Sequence, residues 1–160
     1  MALDFYDEFQ AETGKALRAY IVEHCHDQEK INVLEAGPGT GITTLEILKA
    51  DPRVQVVSVD NEPKMLDAVR TRFSKIEGVG DRVDFILADI LQFLEASQDE
   101  SFDAFASVYT LHNFTPTFRR KVIELIARKL KSGGIFINGD KYAREGQEHK
   151  NDFNAEIENY

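Results

Sequence analysis

The strongest chemical signal in this sequence comes from a glycine-rich loop and the glutamate at its start. The loop spans residues 35–41, with the sequence EAGPGTG, and it belongs to the end of a short apolar run. Glycine lets a backbone turn tightly and lets a ligand approach the main chain closely. Because the loop carries the carboxylate of Glu35 and no cation, we expect it to suit a positively charged ligand rather than a phosphate. An ordinary glycine-rich turn is the alternative.

The glycine spacing separates this loop from the common nucleotide-binding loops. A dinucleotide fingerprint, G-x-G-x-x-G, would need its third glycine at position 42, where the chain has Ile42. A triphosphate-binding loop would need Lys followed by Ser or Thr, and no lysine follows the loop until Lys49. A nicotinamide-dependent dehydrogenase is therefore disfavoured, as is a nucleotide triphosphatase.

Acidic residues also follow the next two predicted strands, at Asp60 and Asp89. Asp60 lies about 20 residues beyond the glycine loop, a distance at which an acid can accept both hydroxyls of a ribose. A helix cap is the alternative role for Asp60 taken alone. The three carboxylates of Glu35, Asp60 and Asp89 at successive strand ends favour one binding site along this edge of the sheet.

Apolar runs and helical periodicity alternate along the chain and predict the elements that must position these residues. Short apolar runs predict strands at residues 31–36, 54–59, 83–87, 102–108 and 135–137. Apolar residues at three- and four-residue spacing predict helices at 5–21, 40–50, 63–73 and 90–94, and a further helix that begins at Pro116 and is stopped by the glycines at 133 and 134. The alternation predicts an α/β fold: a doubly wound, mostly parallel five-stranded sheet with helices on both faces. In such sheets, ligands bind beyond the carboxyl ends of the strands.

The composition limits the class of protein. The 160 residues predict one domain, with an N-terminal helix within 1–26, a core at 31–139 and a helical tail at 140–160. With 28 acidic and 19 basic residues the net charge is −9, so we expect no nucleic-acid partner. No apolar run reaches the roughly 18 residues of a membrane span, and the first residues are acidic, so we expect no signal peptide and no membrane partner. The single cysteine, Cys25, fits a cytoplasmic location.

Five segments in order closely resemble the class I S-adenosylmethionine-dependent methyltransferases of the small-molecule type. They are VLEAGPGTG at 33–41, VVSVDNEPKML at 56–66, FILADI at 85–90, FDAFASVYTLHNF at 102–114 and LKSGGIFINGDKY at 130–142. The resemblance implies a Rossmann-like methyltransferase fold with S-adenosylmethionine across the glycine loop, a small-molecule acceptor, and S-adenosylhomocysteine as the product. A non-catalytic domain that binds the cofactor or a partner is the alternative function.

The resemblance also implies a cofactor site, residue by residue. Its members are Glu35, Gly37, Gly39 and Gly41 at the methionine part; Asp60 at the ribose; Asn61, Met65, Ala88, Asp89 and Ile90 around the adenine; Ser107, Val108 and Tyr109 at the sulfonium and methyl channel; and Tyr6 on an N-terminal lid helix. A sulfonium is a permanent cation, which carboxylates and aromatic faces favour.

The segment at 109–114 bears on the methyl acceptor. The Asn/Asp-Pro-Pro-aromatic motif of amino-nitrogen methyltransferases is missing after the fourth strand, and Cys25 lies too early in the chain to be a cysteine nucleophile. His112 resembles the histidine near the acceptor in small-molecule enzymes, where it would accept a proton. A structural histidine packed at a loop and helix junction is the alternative. His24, Cys25 and His26 are adjacent, with no second ligand cluster, so we expect no metal site.

The end of the chain departs from the family pattern, which continues after the fifth strand with a helix and two further strands. The residues after Asn138 show no apolar alternation of strand length, and the spacing of Phe153, Ile157 and Tyr160 predicts one amphipathic helix near 145–159. This pattern indicates either a truncated form of the family fold or an edge that a partner or a second copy covers. We expect the helix to pack over the exposed sheet, and the open edge of the fifth strand to support self-association. In the family, the segment missing here carries part of the acceptor pocket. We therefore expect cofactor binding to be retained better than turnover.

Overall fold

The computed structural model describes residues 4–140, with the side chains of residues 8–140. Its helices are α1 Asp4–His24, α2 Ile42–Ala50, α3 Pro63–Phe73, α4 Ile90–Ala96 and α5 Pro116–Lys129. Its strands are β1 Ile31–Ala36, β2 Val54–Asp60, β3 Val83–Leu87, β4 Phe102–Val108 and β5 Leu130–Gly139. The predicted helical tail, including the helix near 145–159, lies outside the described residues apart from Asp140.

The strands form one parallel sheet in the order β3-β2-β1-β4-β5. Every strand pair within it is parallel, so the carboxyl ends of the strands share one edge. The chain order runs outward from the central strand β1 in both directions, first to β2 and β3 and then to β4 and β5. This arrangement creates a switch point between β1 and β4, where doubly wound sheets bind their ligands.

Helices cover both faces of the sheet and enclose two hydrophobic cores. One core lies against α1, α2 and α3 and contains Leu17, Ile47 and Leu66. The other lies against α4 and α5 and contains Leu94 and Val122. The sheet order and this two-sided packing confirm the predicted α/β fold. None of the helices between residues 4 and 140 is long and apolar enough to span a bilayer.

The end of α5 differs from the prediction, which placed it at Gly133. The helix ends at Lys129, and β5 begins at Leu130. The backbone N–H of Ser101 donates to the carbonyl of Lys129 at 2.9 Å, so a residue outside the helix occupies the acceptor that a further turn would need. Gly133 lies inside β5 with a φ of +79°. The expected helix stop at Gly133 is therefore wrong, because a contact with a distant loop ends α5 first.

Strand β5 is an edge strand of the described sheet, with β4 as its neighbour. Phe136 on this strand is 38% exposed. An edge strand presents backbone groups that can pair with another chain. Self-association through this edge stays a prediction.

Candidate functional site

A cavity of about 480 Å³ opens beyond the carboxyl ends of β1, β2, β3 and β4. Its volume falls within the roughly 300–1,000 Å³ of typical small-molecule sites. Most of the residues predicted from the sequence come together here. Those that line the cavity are Gly37, Gly39, Asp60, Asn61, Met65, Ala88, Asp89, Ile90, Val108 and Tyr109.

The other predicted residues lie elsewhere. Glu35, Gly41 and Ser107 are buried close to the cavity, but they do not line it. His112 is on the short 3₁₀ turn after β4 and also lies outside the lining. Tyr6 belongs to α1, and its side chain lies outside the described residues.

The glycine loop has a backbone that other residues would not adopt easily. Gly37, Gly39 and Gly41 have φ values of +70°, +52° and +80°. A Cβ on Gly37 would collide with the side chain of Thr110, and a Cβ on Gly41 would meet Val69 and Phe73. Two of the three glycines are therefore needed for packing as well as for the turn. The middle of the loop, Gly37 to Thr40, forms part of the cavity wall.

Glu35 lies buried beneath the loop, with 1% of its surface exposed. Its Oε2 accepts hydrogen bonds from Thr44 Oγ1 at 2.7 Å and Ser58 Oγ at 2.8 Å. Its Oε1 has no hydrogen-bond donor among the described residues. Burial raises the pKa of Glu35 to about 7, because its effect is larger than that of the two hydroxyl donors, which lower the pKa. Glu35 therefore joins β1 to α2 and β2, and its contact with the cofactor stays a prediction.

Asp60 and Asp89 line the cavity and also cap helices. Asp60 Oδ1 accepts from the backbone N–H of Glu62 at 2.9 Å, just before α3. Asp89 Oδ1 accepts from the N–H groups of Leu91 and Gln92 at 2.9 and 3.2 Å, at the start of α4. In the described part of the chain no donor bonds the Oδ2 of either aspartate. The capping interpretation and the binding interpretation of these residues are therefore compatible, since one oxygen can serve each.

Tyr109 has an unusual backbone at the end of β4. Its φ is +55°, a left-handed value that few non-glycine residues adopt. Its ring packs edge-on against Phe9 of α1, with the ring centroids 5.8 Å apart. Backbone conformations of this kind concentrate at functional sites. The contacts around Tyr109 hold an aromatic face at the cavity wall.

His112 is held by an aspartate that the sequence did not single out. Asp140 follows β5, and its fully buried side chain accepts from His112 Nδ1 at 2.9 Å and from the backbone N–H of Thr110 at 2.9 Å. With Nδ1 bound in this way, His112 Nε2 is the nitrogen that can accept a proton. The signal that could have revealed Asp140 is its position directly after a strand, at the same edge as the other acids.

Several lining residues were not predicted. They are Gln10, Ala36, Pro38, Thr40, Thr43, Val59, Thr110, Asn113 and Phe114. Most belong to segments that had been singled out, and their neighbours were named instead. Gln10 is different, because it comes from α1. Its signal was a polar residue on the apolar face of that helix, in line with Thr13 and Leu17.

Comparison with known proteins identifies the fold family. Residues 33–134, more than half of the chain, match the sequence profile of a family described as "Methyltransferase domain". The chain belongs to this methyltransferase family. The matched span begins in β1 and runs into β5, so it includes the glycine loop and most of the cavity wall.

Relatives of this methyltransferase domain carry two kinds of name. The carboxy-S-adenosyl-L-methionine synthase of Nautilia profundicola is 30% identical over 76% of this chain and 48% of its own length. The uncharacterized methyltransferase YcgJ of Bacillus subtilis is 35% identical over 71% of this chain and 42% of its own. The crystal structure of YcgJ superposes on this chain with a TM-score of 0.63. The superposition covers 82% of this chain and 53% of the YcgJ chain. The methyltransferase domain thus spans about half the length of the curated relatives it matches.

Proteins of this methyltransferase family bind S-adenosylmethionine. The features of the cavity fit that molecule: an open glycine backbone, an aromatic wall at Tyr109, and carboxylates at Asp60 and Asp89, each with one oxygen free of described donors. The sulfonium is cationic, and these groups favour positive charge and hydroxyl donors.

Proposed function

We propose that this domain binds S-adenosylmethionine in the cavity and transfers its methyl group to an oxygen, nitrogen or carbon atom of a small molecule. The transfer leaves S-adenosylhomocysteine. The observation that carries the proposal is the convergence of the glycine loop, Asp60 and Asp89 on one cavity in a methyltransferase fold.

Each part of the cavity has a role in this proposal. Asp60 accepts the ribose hydroxyls through Oδ2, while its Oδ1 stays on the N–H of Glu62. Met65 and Ile90 flank the adenine, and Asp89 accepts from its amino group. The glycine loop holds the methionine part, because residues without a Cβ let the ligand reach the backbone.

Methyl transfer from a sulfonium needs little chemistry from the protein. The displacement requires an acceptor atom in line with the methyl group, at about 3–3.5 Å, and positioning alone can contribute roughly 7–11 kcal/mol. Where the acceptor carries a proton, His112 is the proposed base, accepting that proton at Nε2 while Asp140 holds Nδ1. His112 does not line the cavity and its side chain is partly exposed, so in this proposal it acts on an acceptor atom that lies outside the cavity.

Two alternatives make different predictions about products. The relatives named carboxy-S-adenosyl-L-methionine synthase raise a second candidate reaction, in which a carboxylic acid transfers its carboxyl group to the methyl carbon of S-adenosylmethionine. The donor's bond to that carboxyl group breaks, and the donor takes up the proton that the methyl group loses. A non-catalytic domain would bind the cofactor and yield neither product.

The first test measures cofactor binding by titration calorimetry with S-adenosylmethionine. NAD serves as the negative control, since we expect it not to bind. Asp60→Ala should weaken S-adenosylmethionine binding at least tenfold, because hydrogen bonds to a charged group contribute roughly 1.5–3 kcal/mol each. Asp81→Ala, at an exposed aspartate outside the cavity, is the matched control and should bind like the wild type. An unchanged dissociation constant in the Asp60 variant would place the ribose elsewhere.

The second test identifies the reaction by mass spectrometry after incubation with S-adenosylmethionine and a panel of small molecules that includes both methyl acceptors and carboxylic acids as carboxyl donors. S-adenosylhomocysteine together with a methylated acceptor supports methyl transfer. A carboxylated S-adenosylmethionine supports the second reaction. Intact S-adenosylmethionine with every candidate, despite tight binding, supports the non-catalytic alternative.

A further inference from the structure

Gln10 presents a buried amide that the fold itself does not satisfy. The residue is 4% exposed and lines the cavity. Its Oε1 is sealed from solvent and has no hydrogen-bond partner among the described residues. Buried polar side chains in folded proteins are nearly always hydrogen-bonded, and exceptions point to a missing ligand or water. A ligand in the cavity can supply the missing donor once the terminal amide of Gln10 rotates, because the side chain already forms part of the cavity wall.

The contacts of α1 prevent Gln10 from simply turning away. Gly14 lets α1 approach α2 so closely that an added Cβ would lie 2.8 Å from the carbonyl oxygen of Glu46. On the other side of Gln10, the ring of Phe9 packs edge-on against Tyr109. With the helix anchored on both sides, the Gln10 side chain is held at the cavity wall.

The position of α1 indicates which part of a ligand Gln10 would meet. This helix packs against α2, β4 and β5. By contrast, Asp60 ends β2 and Asp89 follows β3, on the other half of the sheet. Gln10 is therefore at the end of the cavity opposite the two carboxylates proposed to hold the nucleoside.

We propose that Gln10 binds the zwitterionic amino-acid end of S-adenosylmethionine, an inference that rests on the proposed function. A carboxamide can donate from Nε2 to a carboxylate and accept at Oε1 from an ammonium group. Only the ammonium bond gives the unpartnered Oε1 a donor, whereas the bond from Nε2 adds a contact at the other end of the same amide. The nucleoside end would be held by groups that Gln10 does not touch.

The test compares the binding of two ligands that differ in the amino-acid end, which is the part that Gln10 is proposed to bind. S-adenosylhomocysteine carries the amino-acid end, whereas 5′-methylthioadenosine has the nucleoside and sulfur without it. Gln10→Met keeps the length of the side chain and removes its hydrogen-bonding groups. We expect calorimetry to show about tenfold weaker binding of S-adenosylhomocysteine and unchanged binding of 5′-methylthioadenosine. Gln98→Met, the same change at an exposed position away from the cavity, should alter neither.

Thermal unfolding without ligand separates a binding role from a structural one. Because the amide has no partner in the described fold, Gln10→Met should leave the midpoint unchanged or raise it. A lowered midpoint, with both probes weakened equally, would mean that Gln10 is structural and would overturn the proposal. Unchanged binding of both probes would overturn it as well.

A third variant identifies the bonded group. Gln10→Glu keeps two acceptors and removes the donors, so weaker binding of S-adenosylhomocysteine assigns the contact to the carboxylate. Retained or tighter binding assigns it to the ammonium. If the wild type binds neither probe, the proposed function fails rather than the role of Gln10 within it.

Discussion

The buried carboxyl of Glu35 should make the stability of this protein depend on pH in a direction opposite to that of most acidic residues. Burial raises its pKa from 4.5 to about 7. Between those values the native state holds a proton that the unfolded state releases, so the free energy of unfolding falls as pH rises. One pKa unit corresponds to about 1.4 kcal/mol, so the loss contributed by Glu35 is about 2–3 kcal/mol between pH 5 and pH 8.

Glu35→Gln isolates this contribution, because glutamine is close in shape to the protonated acid and cannot ionise. Its amide oxygen can still accept from Thr44 and Ser58, as Oε2 of the acid does. Urea unfolding at several pH values should show the variant gaining about 2–3 kcal/mol on the wild type from pH 5 to pH 8. Glu29→Gln, at an exposed glutamate, is the control and should follow the wild type. Parallel stability curves for wild type and Glu35→Gln would refute the assignment of a buried, proton-binding carboxyl.

Three further predictions concern the loop, the base and the sheet edge. Gly37→Ala should lower the midpoint of thermal unfolding more than Gly78→Ala. Both glycines have a positive φ, but of the two only Gly37 would also place its new Cβ against a side chain, that of Thr110. Equal losses in the two variants would contradict a collision between that Cβ and Thr110. His112→Ala should reduce turnover by about 10²–10⁴ on an acceptor found by the product screen and leave S-adenosylhomocysteine binding unchanged; a loss under threefold would make the residue structural. Light scattering over a concentration series should show self-association through the edge of β5, and a monomer at every concentration would count against it.

The strand ends could be predicted because the signals that define them are local. A run such as Val54 to Val59 needs only neighbouring residues to favour a strand, and the Gly-Pro-Gly after Ala36 marks its turn without reference to the rest of the chain. Since parallel strands end at one edge, placing Asp60 and Asp89 there required only the topology. The resemblance to a known family then supplied the cofactor, which periodicity alone does not name.

The side chains that the sequence could not place depend on contacts between distant segments. Whether Glu35 faces the cavity or the core beneath it is decided by Thr44 and Ser58, which arrive from α2 and β2. The partner of His112 comes from the far end of β5, and nothing in the spacing of the two residues predicts that meeting.

The sequence by itself determined the alternation of strands and helices, the glycine loop and the edge of the sheet on which the acids lie. Only the tertiary structure decided that α5 ends at Lys129, that Asp140 holds His112, and that Gln10 lines the cavity. Helical and strand propensity act over a few residues. The partner of a buried polar group is chosen by the packing of whole elements, because its hydrogen bond must be completed wherever the fold brings a donor or acceptor within reach.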